Sequence, residues 1–175
     1  GKIKEHLASI YRVFLRAGVL ELLFDKVPLQ YQEPAILTAP HYKSPNEPPR
    51  AWRREIDFDF GLGLRACGFA ALRETASVSG AGFALFRRNR LIQGSADDGY
   101  RPEYIFGKSN SYRFQRLFGE LHLEGFQVSH TKDGFQWDGN EETFLEFLKE
   151  HLDDADLPLL QQAEGHRVRA PRSTL

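Results

Sequence analysis

The sequence predicts a two-layer α/β (α+β) domain, a mixed or antiparallel sheet with helices on one face, and three observations predict it. The stretch from Arg53 to Phe60 alternates charged and apolar residues with a period of two, the mark of a half-buried antiparallel strand. Further apolar runs of strand length follow in close succession between small-residue turns. Two segments with helical spacing bracket them, Lys2 to Arg16 and Glu141 to Leu152.

At the amino-terminal end Ile3, Leu7, Ile10, Tyr11, Phe14 and Leu15 recur at helical spacing. Lys4, Glu5, Arg12 and Arg16 are expected to turn away from that stripe, and Gly18 to stop the helix. Val19 to Phe24 reads as a short strand closed by Asp25 and Lys26. Pro34 to Ala39 reads as an extended piece bounded by prolines, which cannot donate to a central ladder. Residues Pro40 to Pro49 are proline-rich and irregular. In Arg53 to Phe60, Ile56, Phe58 and Phe60 share one side while Glu55, Asp57 and Asp59 share the other, and Leu64 to Leu72 is the expected hairpin partner across Gly61-Leu62-Gly63. Ser77 to Gly80 is a turn, Gly82 to Phe86 a strand, and Gly94 to Tyr100 a loop. Tyr104 to Gly107 and Leu117 to Leu123 are strand candidates, the second with Phe118, Glu120 and His122 facing away from its leucines. Glu141 to Leu152 carries acidic residues in its first turn, where they complement the helix dipole, and Phe144, Leu145, Leu148 and Leu152 on one face. Leu157 to Ala163 adds a short helix. The expected division is a domain over residues 1–152 and, over 153–175, that helix with an arginine-rich tail.

With 23 basic and 24 acidic side chains among 175 residues, the net charge of −1 gives no global field to recruit nucleic acid or an anionic membrane. Any such contact must come from local clusters such as Arg87, Arg88 and Arg90, or Arg167, Arg169 and Arg172. The single cysteine, Cys67, has no partner for an internal disulfide and lies in an apolar run, which fits a reducing, cytoplasmic setting and a buried thiol. No apolar run reaches the roughly 20 residues of a membrane helix. The absence of methionine and the opening on Gly1 inside a helical pattern suggest a piece of something longer, while 14 phenylalanines suggest that the piece carries its own core.

Few constellations here carry chemistry. Asp57 and Asp59 share a strand face, as a metal site or an acid/base pair would require, but a solvated face has the same pattern and no second ligand cluster follows. Six scattered histidines without paired cysteines argue against structural zinc. Gly61-Leu62-Gly63 and Gly68 match neither a Walker loop nor a dinucleotide fingerprint. Lys132 is a lone cation in the polar turn Ser129-His130-Thr131-Lys132-Asp133-Gly134, between an apolar-alternating run and the last long helix.

The order of Arg88-Asn89-Arg90-Leu91-Ile92, Gly119-Glu120-Leu121-His122-Leu123 and Thr131-Lys132-Asp133-Gly134-Phe135 resembles the second, or transducer, domain of the gyrase, Hsp-type chaperone, histidine kinase and MutL (GHKL) ATPase superfamily, most closely the MORC branch and its bacterial relatives. There an apolar strand enters an Asn-Arg-Leu-Ile-type turn, and a later strand ends in a loop of the form Thr-His-Asn-Lys-Gln-Asp-Phe. The resemblance spans Gly82 to Leu152. It implies that Lys132 contacts the terminal phosphate of ATP, with His130, Thr131 and Asp133 shaping the loop. It implies further that ATP and Mg²⁺ are held mainly by a preceding ATP-binding domain absent from this chain, and that nucleotide state is coupled to closure of a homodimer and handling of a client such as DNA. Arg87, Arg88, Asn89 and Arg90 are then candidates for an interdomain or nucleic-acid contact, or for an ordinary solvated turn. The ordered ATP-site motifs of the superfamily do not occur here, so the chain alone is not expected to turn over ATP.

Two rivals come from the residues themselves. A nucleic-acid-binding module would add Lys108, Arg113 and Arg116 to the arginine turn, with Tyr104, Phe106, Tyr112 and Phe114 as stacking surfaces. A metal-dependent nuclease would use Asp57, Asp59, Glu120 and Lys132.

Overall fold

The computed structural model describes residues 1–128 and 134–167. Two short helices open the chain, α1 (Lys2–Ile10) and α2 (Arg12–Arg16), separated at Tyr11, whose ψ of 14° leaves the helical basin. Gly18 ends the second. At φ 72° it adopts the left-handed conformation that glycine tolerates, and the turn closes with Gly18 N–H on the Leu15 carbonyl and Val19 N–H on that of Phe14, both at 3.2 Å. Strands β1 (Leu23–Phe24) and β2 (Val27–Pro28) pair across Asp25 and Lys26, which both take positive φ as a two-residue hairpin turn demands. Strands β3 (Thr38–Ala39) and β4 (Arg50–Ala51) form a second small ladder around the proline-rich segment.

The main sheet follows. Strands β5 (Arg53–Asp59) and β6 (Arg65–Leu72) are the expected hairpin, and β7 (Gly82–Arg87) and β8 (Arg90–Gln93) make another. Helices α3 (Glu103–Phe106) and α4 (Tyr112–Arg116) lead to β9 (Leu117–Glu124), which lies between β6 and β7. The order β5-β6-β9-β7-β8 is mixed: β7 runs parallel to β9 and the other pairs are antiparallel. A small hairpin, β10 (Gln127–Val128) with β11 (Phe135–Gln136), precedes α5 (Glu141–Leu152) and α6 (Leu159–Gly165).

Strand alternation fixes what each face does. Ile56, Phe58, Ala66, Ala70, Leu72, Phe83, Leu85, Leu117, Leu121 and Leu123 are buried on one face, where Ile105, Phe106, Phe144, Leu148, Leu152, Leu159, Leu160 and Ala163 from the helices close one core over them. Burying each large apolar side chain contributes on the order of 1.5–3 kcal/mol. Gly119 sits on this face because a Cβ there would strike the Phe69 carbonyl oxygen and come within 2.9 Å of the Phe83 ring.

Two expectations change here, and one element is new. Tyr104 to Gly107 is not a strand but the helix α3: Pro102 starts it, with Phe106 N–H on the Pro102 carbonyl at 3.0 Å, and the consecutive residues Ile105 and Phe106 are both buried, which an alternating strand does not allow. The α4 turn, unread in the sequence, is capped by Ser111, whose Oγ accepts from Phe114 N–H at 3.2 Å. The helix after residue 152 starts at Leu159, and its Leu159, Leu160 and Ala163 belong to the same core as the sheet.

The opening helix is the larger correction, because the stripe meant for the core is not what it buries. Ala8, Ser9 and Arg12 are its buried residues, Ile3 is 66 % exposed, and Arg12, expected to face solvent, is 6 % exposed. The reason lies across from it, on the second face of the sheet.

Candidate functional site

The arginine turn is built by the shortest hairpin of the main sheet. Arg87 pairs with Arg90, leaving Arg88 and Asn89 as a two-residue turn at φ 50° and 66°. Such a turn throws its side chains outward, and Arg88, Asn89 and Arg90 are exposed while Arg87 is half-buried. Together Arg87, Arg88 and Arg90 line a hollow of about 260 Å³ whose apolar wall is Ile92 and Val128. None of the three pairs with a described carboxylate.

Val128 is the last described residue before 129–133, and Gly134, the first after it, stands beside Gln93 of β8. The described residues flanking 129–133, Val128 and Gly134, therefore stand beside the β7–β8 hairpin although they are far from it in sequence. Lys132, His130, Thr131 and Asp133 lie outside the described residues. What the described part offers is a hairpin base and three guanidinium groups, a donor set suited to phosphate or carboxylate oxygens.

A second constellation lies on the sheet face opposite the core, and the sequence reading missed most of it. Glu120 occupies the middle of the central strand, opposite Phe69 on β6 and Ala84 on β7, and is 4 % exposed. Arg16 grips it with NH1 on Oε1 at 3.2 Å and NH2 on Oε2 at 2.7 Å, and Arg12 NH1 stands 3.8 Å from Oε2. Arg12 also donates to the Ser9 carbonyl at 2.8 Å and the Tyr31 hydroxyl at 3.0 Å, and its guanidinium lies 4.5 Å from the Tyr31 ring centroid. Arg16 reaches Glu33 at 2.9 Å. The bond to Glu120 raises the Arg16 pKa, burial pushes the Tyr31 phenol up, and burial pushes His122 down while Glu120 pulls it back. The one sequence signal was a carboxylate between Phe118 and His122, well inside a mostly apolar strand.

The described members of the nuclease set are not brought together, and Lys132 lies outside the described residues. Asp57 pairs with Arg65 at 2.9 Å, which lowers the carboxyl's pKa, and Glu120 is covered by arginines. Among the described residues no group of histidine, cysteine, aspartate or glutamate side chains is placed to hold a metal. The aromatic nucleic-acid surface is not assembled either. Phe106 is fully buried, Arg116 is spent on the carbonyls of Arg73 and Glu74, Arg113 on Glu164, and Phe114 lies under Arg101. Of that set, Tyr104, Tyr112 and Lys108 are exposed.

Cys67 is half-buried on this second face, and burial raises its pKa, which makes it a poor nucleophile. No described helix is long and apolar enough to cross a membrane. Compared with known proteins, the sequence matches no family model and no curated protein.

Proposed function

We propose that this chain is the transducer domain of a GHKL-type ATPase, a cytoplasmic, dimeric protein in which a preceding domain holds ATP and Mg²⁺ and this one responds to the terminal phosphate. Lys132 is the sensor in this reading, with His130, Thr131 and Asp133 shaping its loop, and Arg87, Arg88, Asn89 and Arg90 forming the neighbouring cationic contact. The observation that supports it is the approach of Val128 and Gly134, which flank residues 129–133, to the arginine hairpin of the first resembling motif. A cation on such a connection pairs with phosphate charge and loses its partner on hydrolysis, which is how a local electrostatic event becomes a domain response. Client handling, with DNA as one candidate client, would follow from closure.

Steady-state ATP hydrolysis by the full-length protein, compared with its Lys132→Ala variant, tests the assignment. Turnover should fall by about tenfold or more, as when a charge-stabilising donor is removed, while the circular dichroism spectrum stays unchanged. Equal turnover in the two proteins overturns it. The arginine hollow also favours a second reading, a polyanion contact, for which Arg88→Ala should weaken salt-sensitive DNA binding.

A further inference from the structure

The contiguous apolar core begins at Leu37, and no residue of 1–36 belongs to it. In residues 1–34, α1 and α2 turn Ala8, Ser9, Arg12 and Arg16 toward the second face of the sheet, and the β1–β2 hairpin stands beside α1, where Lys4 lies 5.0 Å from the Phe24 ring. Their link to the rest of the molecule is narrow. Among the described residues, every hydrogen bond and ion pair between this arm and the sheet ends on one side chain, the Glu120 carboxylate. The remaining hydrogen bonds and ion pairs of Arg12 and Arg16, to Ser9, Tyr31 and Glu33, are internal to the arm and travel with it, and beyond Glu120 the Arg12 guanidinium meets the sheet only over the Phe86 ring, 5.4 Å from its centroid.

Beneath the arm the packing is open. A cleft of about 630 Å³ runs between it and the sheet, with Ser9, Arg12 and Tyr31 on the arm side and Phe69, Phe118 and His122 on the sheet side. Ala8 is the single apolar side chain of the arm that is buried, so apolar contact does little to hold the two surfaces together. The far end of the arm, by contrast, is pinned. Glu74 N–H bonds the Ala35 carbonyl at 2.9 Å, Ile36 bridges Arg73, and Leu37 N–H bonds the Leu72 carbonyl at 2.8 Å.

We propose that residues 1–34 are a releasable strap, latched by Glu120 to Arg16 and Arg12, that opens about the Ala35–Leu37 ladder while the core stays folded, and that its opening gives solutes access to the 630 Å³ cleft. The inference does not depend on the ATPase reading. A segment with few apolar contacts to the core opens at lower free energy than the whole domain, and a single ionic latch makes that opening respond to one charge. Uncoupling the latch removes the attraction without touching a core residue.

Hydrogen exchange of the chain, wild type beside Glu120→Gln and Arg16→Gln, tests this. Glu120→Gln should accelerate exchange of the α1 and α2 amides by about tenfold or more, with β6 and β9 amides unchanged. Arg16→Gln, which alters only a side chain 43 % exposed, should accelerate the same amides by a smaller factor. Unchanged α1 and α2 exchange in either variant overturns the strap, and so does equal acceleration of β6 and β9, which would make arm and core one unit. Should Glu120→Gln not fold, Arg16→Gln decides alone.

Discussion

His122 lies two residues beyond Glu120 on β9, with its ring stacked on Phe86 at 5.0 Å and one side toward the cleft. Burial disfavours its charged form, Glu120 opposes that effect, and Arg16 reinforces it, leaving the folded-state pKa below its ordinary value. The linkage follows directly. In the unfolded chain the imidazole takes up a proton near pH ~6.5, whereas the folded protein resists until a lower pH. The stability due to neutral His122 is therefore fully present above about pH 6.5 and is lost as the pH falls from there through the folded value. His122→Phe keeps the ring stack and removes the titration. Urea unfolding at pH 7.5 and 5.5 should show a larger loss on acidification for wild type than for this variant, with His166, also pushed down by burial, accounting for part of the loss that remains. Equal losses would mean that His122 is solvated in the folded state.

Among the elements, the β7–β8 hairpin places function and local conformation in conflict. A two-residue turn with both φ values positive favours Asn-Gly, yet this one holds Arg88 and Asn89 at φ 50° and 66°. An arginine in the left-handed region costs on the order of 1 kcal/mol. Replacing Arg88 by Asn together with Asn89 by Gly should thus raise stability to urea by about 1 kcal/mol, and no gain would show that Arg88 makes a compensating contact. The same hairpin shows what the sequence discloses and what it hides. Strand β5 and helix α5 were legible because period-two or period-3.6 burial was written into their own residues, and β6, β7 and β9 because each is a mostly apolar run of strand length near turn residues. Helix α3 was misread because a four-residue apolar run fits strand or helix equally until Pro102 is seen to start it. The arginine cluster was legible as a cluster, but its meeting with Val128 depends on strand order, which no local pattern contains. The Glu120 latch was hidden for another reason: an amphipathic pattern says which helix face is apolar, not which face the partner surface requires, and here the partner presents a carboxylate.

At the scale of the molecule, one core joins elements from all parts of the chain after residue 36, and Phe144 is where they meet. Its ring stacks on Trp137 at 5.2 Å and Phe58 at 6.1 Å and tilts against Phe60 at 5.9 Å, so a single side chain of α5 touches β5, the end of its strand and the segment after β11. Trp52, fully buried with its Nε1–H on the Ala39 carbonyl at 2.9 Å, belongs to the same core beside the β3–β4 ladder. If that core is one cooperative unit, Phe144→Ala should cost about 3–5 kcal/mol, the usual range for removing a buried aromatic ring. The loss should also appear equally through both tryptophans. Fluorescence, which reports Trp52 and Trp137, and far-ultraviolet circular dichroism, which reports the sheet and helices, should give one coincident unfolding curve that moves to lower urea in the variant without splitting. A fluorescence transition that precedes loss of secondary structure would mean that α5 and the β10–β11 segment detach first, dividing the core at the Phe144 contacts. Coincident curves, beside faster exchange confined to α1 and α2 in the latch variants, would separate a molecule that unfolds as one body from an arm that opens on its own.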